Sequence, residues 1–438
     1  MQAMKDSGIE WIGQIPQEWK VVLLSSIFNE HKQKNTDLLC SNLLSLSYGK
    51  IIKKNISTAD GLLPVSFEGY NIVNKNDIVL RLTDLQNDQR SLRTGLVTEK
   101  IGIITSAYVT LRLYASNIAS AKYMHYFLYA FDISKGFYGM GDGVRQSLNY
   151  DGCKKIQLLF PPLPEQQRIA DYLDKQCFIM DKLAENLQQQ IEKLREYKQS
   201  VITEAVTKGL DPNVAMKDSG VEWIGQIPKE WKVIPIKSLF SFGKGLTITK
   251  ADLQENGVKV INYGQIHAKY NRGVSINNNL YRFVSEKFLS TNHNSLIEFG
   301  DFIFADTSED IDGAGNFVYI DKHDKIFAGY HTLILQSLYN NDNKFLAYLF
   351  LSTQWRQQIQ KRICGIKVFT ISKNILSCLT IIRPPLPEQQ RIVDYLDKKC
   401  EEIDKLIKIK QEKIDKLSEY KKSLIYECVT GKREVAHE

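Results

Sequence analysis

Few side chains in this chain are spaced for catalysis. The glycine-rich run Gly136 to Gly143 (GFYGMGDG) could cradle a phosphate, but it lacks a strand–turn–helix setting and no Gly-Lys-Ser/Thr follows. Asp211-Pro212 begins like the Asp-Pro-Pro-aromatic turn of adenine methyltransferases, yet Asn213 comes next. The carboxylates Asp306, Glu309, Asp310 and Asp312 could hold a catalytic metal, but no Glu-x-Lys companion marks a nuclease, and an acidic surface loop is the simpler reading. His267, His293, His323 and His331 are scattered without ligand spacing. The seven cysteines are odd in number and contain no CxxC, which favours reduced, structural thiols over a zinc site or disulfide framework. With no Walker A, HExxH or GxSxG string either, the residues predict a chain without chemistry of its own.

What the chain does have is duplication. MKDSGIEWIGQIPQEWK (Met4 to Lys20) returns as MKDSGVEWIGQIPKEWK (Met216 to Lys232), identical at 15 of 17 positions. PPLPEQQRIADYLDK (Pro161 to Lys175) returns as PPLPEQQRIVDYLDK (Pro384 to Lys398), identical at 14 of 15. The residues between the copies differ widely. A frame is therefore repeated around two different inserts. The expected divisions are a scaffold repeat at 1–20, an insert domain at 21–160, a helix at 161–210, a linker with the second scaffold repeat at 211–232, a second insert domain at 233–383 and a second helix at 384–438.

Four of the five tryptophans (Trp11, Trp19, Trp223, Trp231) sit in the frame and read as packing anchors. Within the inserts, β-branched and aromatic runs predict strands at Asp77–Leu80, Ala107–Leu111, Val258–Ile261, Phe302–Phe304 and Thr332–Leu335. Spacings of three and four predict helices near 121–131 and 343–361. Shared landmarks point to two diverged copies of one α+β domain. Tyr48-Gly49-Lys50-Ile51 resembles Tyr263-Gly264-Gln265-Ile266, Asn76-Asp77-Ile78 resembles Gly300-Asp301-Phe302, and Gly143-Val144-Arg145 resembles Gly365-Ile366-Lys367.

Each Pro-Pro-Leu-Pro lead-in opens a long helix, with Pro164 and Glu165 suited to its first turn. Leu173, Met180, Leu183, Leu187, Ile191, Leu194, Tyr197 and Val201 make one apolar stripe, and Leu396, Ile403, Leu406, Ile414, Leu417, Tyr420 and Leu424 make the other. Neither run contains Gly or Pro until Gly209 and Gly431, so each helix extends about 40 residues, or roughly 60 Å. Such a stripe needs a partner. The expected fold class is α+β, with two α/β domains separated by two long antiparallel coiled-coil helices in a pseudo-twofold arrangement; a partner outside the chain is the rival.

Net charge of +7 permits a polyanionic partner without requiring one. No apolar run approaches the ~20 residues of a membrane span and the N-terminus lacks a signal core, so a cytoplasmic protein is expected.

Twin MKDSGIEWIGxIPxEWK and PPLPEQQRIxDYLDK frames around two variable domains resemble the DNA-specificity subunit of type I restriction-modification enzymes, over nearly the whole chain. The resemblance implies that each variable part is a target-recognition domain reading one half of a split, asymmetric double-stranded DNA sequence. It implies that the helices space the two domains and dock methyltransferase (modification) subunits, with motor/nuclease (restriction) subunits completing the complex. S-adenosylmethionine, ATP and Mg would then belong to those partners, and this chain would hold no cofactor, no metal and no catalytic residue. At ~3.4 Å per base pair, a ~60 Å spacer allows an unread gap of at most about 18 base pairs. A structural coiled-coil adaptor, or a stand-alone methyltransferase or nuclease with an unrecognised site, is the alternative.

Base recognition uses Arg or Lys for guanine and Asn or Gln for adenine, presented on loops. In the first domain the densest such stretch is 81–93, which supplies Arg81, Thr83, Asp84, Gln86, Asn87, Arg90 and Arg93 as DNA-binding candidates. The aligned loop of the second domain, Asp306–Asp310, is acidic, so Tyr263, Gln265, His267, Lys269 and Arg272 are the candidates there. Arg145 and Lys367 follow a glycine-led pair in both domains, and a basic residue kept in two unlike readers suits phosphate. Arg145→Ala is expected to weaken binding to every duplex alike in a salt-titrated binding assay; loss confined to one cognate half-site would remove the phosphate role.

Overall fold

A computed structural model of the chain describes residues 3–55, 64, 66–88, 91–141, 146–339, 343–363, 365 and 368–436. It forms two compact units: Met1–Gln188 with Gln411–Glu438, and Gln189–Lys410. Each contains one insert domain, one scaffold repeat, and segments of both long helices.

The first long helix runs Leu163–Lys208 and the second Leu386–Val429. Their apolar stripes are covered inside each unit over most of their length, but Leu183, Tyr197, Leu406 and Tyr420, expected within the stripes, stand exposed. In the first, Leu173, Cys177 and Met180 share a core with Leu424, Ile425 and Cys428, and Lys421 Nζ lies 2.6 Å from Asp181 Oδ1. In the second, Val201, Ile202 and Ala205 share a core with Ile392, Leu396 and Cys400, and Lys198 Nζ lies 2.7 Å from Asp404 Oδ1. Lys410 also donates to Gln190 in the second unit, so numbers fall on one helix as they rise on the other. The helices are antiparallel partners. The stripe's partner is the repeat itself, and the two ion pairs join the same two frame positions in each unit.

The insert domains share one architecture. A four-stranded antiparallel sheet has the order Thr94–Leu96, Ile78–Leu80, Val109–Leu113, Phe28–Glu30 in the first unit. In the second the order is Phe317–Tyr319, Phe302–Ala305, Thr332–Ser337, Phe240–Lys244. A second sheet lies in each: three strands with an isolated parallel bridge, Leu43 to Ile103, in the first unit, and five strands with Val258–Ile261 parallel to Ile326–Ala328 in the second. Two diverged copies of one α+β domain, expected from the landmarks, are what the fold contains.

The Asn76-Asp77 and Gly300-Asp301 landmarks mark one turn. Asp77 Oδ2 accepts the Asn74 N–H at 2.8 Å and Asp301 Oδ2 accepts the Glu298 N–H at 2.9 Å, both carboxylates being buried. The preceding residue must take positive φ, +74° at Asn76 and +92° at Gly300, which explains Asn and Gly there. Asp77 also receives both arms of Arg112, at 2.8 and 2.7 Å. The Tyr48/Tyr263 landmark is corrected: Tyr48 and Gly49 turn the hairpin between Leu44–Ser47 and Lys50–Lys53, whereas Tyr263–Ile266 is a helical turn capped by Asn262. The helix expected over 343–361 is two, Lys344–Leu351 and Thr353–Gln360, because Ser352 turns extended and caps the second through the Trp355 N–H.

The frame tryptophans are anchors with a polar tie. Trp19 and Trp231 are buried, and their indole N–H groups donate to Glu165 Oε2 and Glu388 Oε2 at 3.0 and 2.9 Å. One carboxylate thus satisfies a buried N–H while sitting at a positive helix end. Beside it, Gln166 and Gln389 each donate to the lead-in carbonyls of Pro161 and Pro384 at 2.8 Å. Removing Asp77 strands a half-buried guanidinium, so Asp77→Ala should cost about 2–4 kcal/mol, seen as an earlier denaturant transition of the first unit.

Candidate nucleic-acid interface

In both units the candidate reading loop leaves the same strand of the four-stranded sheet: Ile78–Leu80 in one, Phe302–Ala305 in the other. Such loops need internal anchoring, since exposed backbone without partners would sample many shapes.

In the first unit the anchor is Arg93. It is fully buried, and its guanidinium donates to the carbonyls of Arg81 (3.2 Å), Thr83 (2.8 Å), Asp84 (3.4 Å) and Asp88. Its backbone N–H donates to the buried Asp132 Oδ2 at 2.6 Å. Arg93 therefore shapes the loop from within and does not present its guanidinium to a base, which corrects the expectation of direct contact. Around it, Asp84 adopts φ +57° and accepts from Asn87 at 2.8 Å, Arg81 pairs with Asp88 at 3.4 Å, and Gln86 and Asn87 stand exposed. The Ser91 hydrogen bond comes first among the effects that hold the Asp88 carboxyl below its ordinary range. Thr83 is half-buried. Arg90, Arg145 and Lys367 lie outside the described residues.

In the second unit the anchor comes from elsewhere in the chain. Arg356, in the helix Thr353–Gln360, donates to the carbonyls of Asp312 (2.5 Å) and Ala314 (3.1 Å) and to Asn316 Oδ1 (2.8 Å). That last bond leaves the Asn316 amide to donate to His267 Nδ1 at 3.1 Å, so His267 Nε2–H donates to the Thr307 carbonyl at 2.8 Å. Both ring nitrogens of His267 are thereby used within the domain. Tyr263 packs edge-on against Tyr330 and His331, and the ring of His331 lies 3.2 Å from Asp306. Tyr263, His267 and His331 line a cleft of about 700 Å³ with Thr307, Glu309 and Asp310. Gln265 closes the capping box of its own turn by accepting the Asn262 N–H. Lys269 is exposed, and Arg272 lies 3.3 Å from Asp404 of the long helix. The candidates of the second unit thus divide between the cleft (Tyr263, His267) and the helix side (Arg272).

Sequence reading missed Arg356 and the carboxylates that hold the domains to the frame. Asp174 accepts from Lys122 and Tyr126, and Asp397 from Lys344 and Tyr348. The available signal was a Lys-x-x-x-Tyr spacing, at Lys122 and Tyr126 in the helix Ala121–Ile133 and at Lys344 and Tyr348 in the helix Lys344–Leu351. Among the described residues, no group of three or more His, Cys, Asp or Glu side chains is placed to hold a metal, and no helix is long and apolar enough to cross a membrane.

The family model described as the type I restriction modification DNA specificity domain matches residues 16–193 and again 228–419. The type I restriction enzyme MjaVIII specificity subunit of Methanocaldococcus jannaschii is 26% identical over 429 residues, covering 95% of this chain and 93% of that protein. A solved chain from work on complex assembly and conformational transition of the type I R-M system superposes with TM-score 0.67 at 15% identity, covering 95% of this chain and 98% of its own, and so shares the fold.

Burial pushes the Asp132 carboxyl up to about 6, against the opposing pull of the Arg93 N–H and charge. Its folded value exceeds its unfolded one, so between about pH 4 and pH 6 the folded state holds the proton that the unfolded state has released, and stability falls as pH rises through that window. Asp132→Asn should flatten this slope, with a gain at pH 7 of up to about 3 kcal/mol. Denaturation midpoints at pH 4, 5, 6 and 7 check it; an unchanged slope would rule the buried acid out as its source.

Proposed function

The chain belongs to the type I restriction-modification DNA specificity family, and from that membership we propose that it is a non-catalytic reader of a bipartite duplex, each insert domain taking one half-site. The carrying observation is one sheet built twice, with the loop after the same strand carrying Gln86 and Asn87 in one unit and Glu309 and Asp310 in the other. Amide side chains suit adenine edges, and carboxylates accept from cytosine N4, so the two half-sites differ. Arg81, Thr83, Asp84, Gln86, Asn87 and Arg90 supply contacts in the first domain; Tyr263, Gln265, His267, Lys269 and Arg272 supply or support them in the second. Arg145 and Lys367 take phosphates. The two long helices, each with residues in both units, set the unread gap.

Chemistry comes from partner subunits: methylation with S-adenosylmethionine, and ATP- and Mg-dependent translocation and cleavage. Each unit exposes one leucine and one tyrosine from equivalent frame positions, Leu183 and Tyr420 in the first, Leu406 and Tyr197 in the second. Such a repeated apolar pair fits two copies of one partner, the methyltransferase subunit.

The test is selection of protected duplexes from a random pool by the chain with its methyltransferase subunits. Two specified blocks at a fixed gap are expected. Gln86→Ala with Asn87→Ala should relax one block only, by about 10–100-fold at the affected bases. Turnover by the lone chain, or relaxation of both blocks, would overturn this reading.

A further inference from the structure

The two domains grip their frames in the same way although their sequences differ. In the first unit, Lys122 Nζ reaches Asp174 Oδ2 at 2.6 Å and Tyr126 donates to Oδ1 at 2.8 Å. In the second, Lys344 Nζ reaches Asp397 Oδ2 at 2.7 Å and Tyr348 donates to Oδ1 at 2.6 Å. One residue after each lysine, Tyr123 and Phe345 meet the frame indoles of Trp19 and Trp231 edge-on, at 86° and 88°. Across the six positions from Lys122 to Phe127 and from Lys344 to Leu349, only the lysine and the tyrosine are identical.

The carboxylates Asp174 and Asp397 are 42% and 41% exposed, and ion pairs this open to water add little stability. Recurrence of one geometry, on the same carboxylate oxygens, speaks for placement. The Lys-x-x-x-Tyr spacing puts both groups on one helix face, and the aromatic between them seats on the frame tryptophan. One turn pair further along each long helix, a second carboxylate takes another cation from the insert: Asp181 from Lys50 at 2.9 Å, Asp404 from Arg272 at 3.3 Å. Its position seven residues on keeps it on the same helix face.

We infer that Lys-aromatic-x-x-Tyr is a transferable docking code, by which either frame accepts any recognition domain with a helix that carries it. The docking rests on this side-chain geometry; only the choice of DNA rests on the half-site reading above.

The experiment uses full-length chains in which residues 21–160 are replaced by a second copy of 233–383. Hydrogen exchange is read in the frame peptides, which Ala170 and Val393 distinguish. The chimera should protect the start of the first long helix as the native chain does. Lys344→Met with Tyr348→Phe in the transplanted copy alone should speed exchange there about tenfold and leave the Val393 peptide unchanged. Equal exchange in the two chimeras overturns the code. If the chimera does not fold, Lys122→Met with Tyr126→Phe in the native chain decides: faster exchange confined to the Ala170 peptide supports the code, and unchanged exchange overturns it. A protected frame in a chimera that fails to select the second block as an inverted repeat supports docking and removes the half-site reading.

Discussion

A helix of 46 residues with a single apolar stripe cannot remain alone in water, and the fold follows from how that constraint is met. Each unit lays a segment of one long helix against an antiparallel segment of the other, and a lysine–aspartate pair from the same frame positions closes both seams. Repeating the sequence makes such pairing self-complementary where it counts: Asp181 and Lys421 of one seam occupy the same frame positions as Asp404 and Lys198 of the other. The Pro-Pro-Leu-Pro-Glu-Gln-Gln segment is identical in the two copies, and in each its glutamate accepts from the buried indole N–H of Trp19 or Trp231.

The frame also carries the surface on which the inserts sit. Asp174 and Asp181 lie on one face of the first long helix, Asp397 and Asp404 on one face of the second, and each takes a basic group from its own insert domain. Exposed charge pairs contribute little energy but fix direction, while Trp19 and Trp231 supply the buried area. Holding the domain by one helix and one basic contact leaves the sheet-edge loops outside the constraint, so they can differ without disturbing the seat.

Loops that vary still need shape, and the two units supply it differently. Arg93 is part of its loop and is consumed by the loop's own carbonyls; Arg356 reaches in from a helix and works through Asn316. Arginine suits both tasks because a planar fork of five donors satisfies several carbonyls at once without deprotonating. The pre-formed loop loses less freedom on binding, so its exposed amides or carboxylates can spend their contacts on base identity.

Periodicity and duplication were enough to place the long helices, the paired frames and most core strands, because apolar spacing is set locally by helix and strand geometry. They also exposed the kinship of the inserts through the Asn76-Asp77 and Gly300-Asp301 turn, whose carboxylate works within three residues. Tertiary structure decided what depends on contacts far apart in the chain. Arg93, Arg81 and Gln86 look alike as a string of polar residues, yet folding buries the first, pairs the second and exposes the third. The Lys122–Asp174 and Lys344–Asp397 seats join residues about fifty positions apart, beyond any local spacing rule. Local order is written in the order of residues; which polar group meets water and which meets a carbonyl is settled only when the chain packs, because burial and not residue type sets the cost of leaving it unpaired.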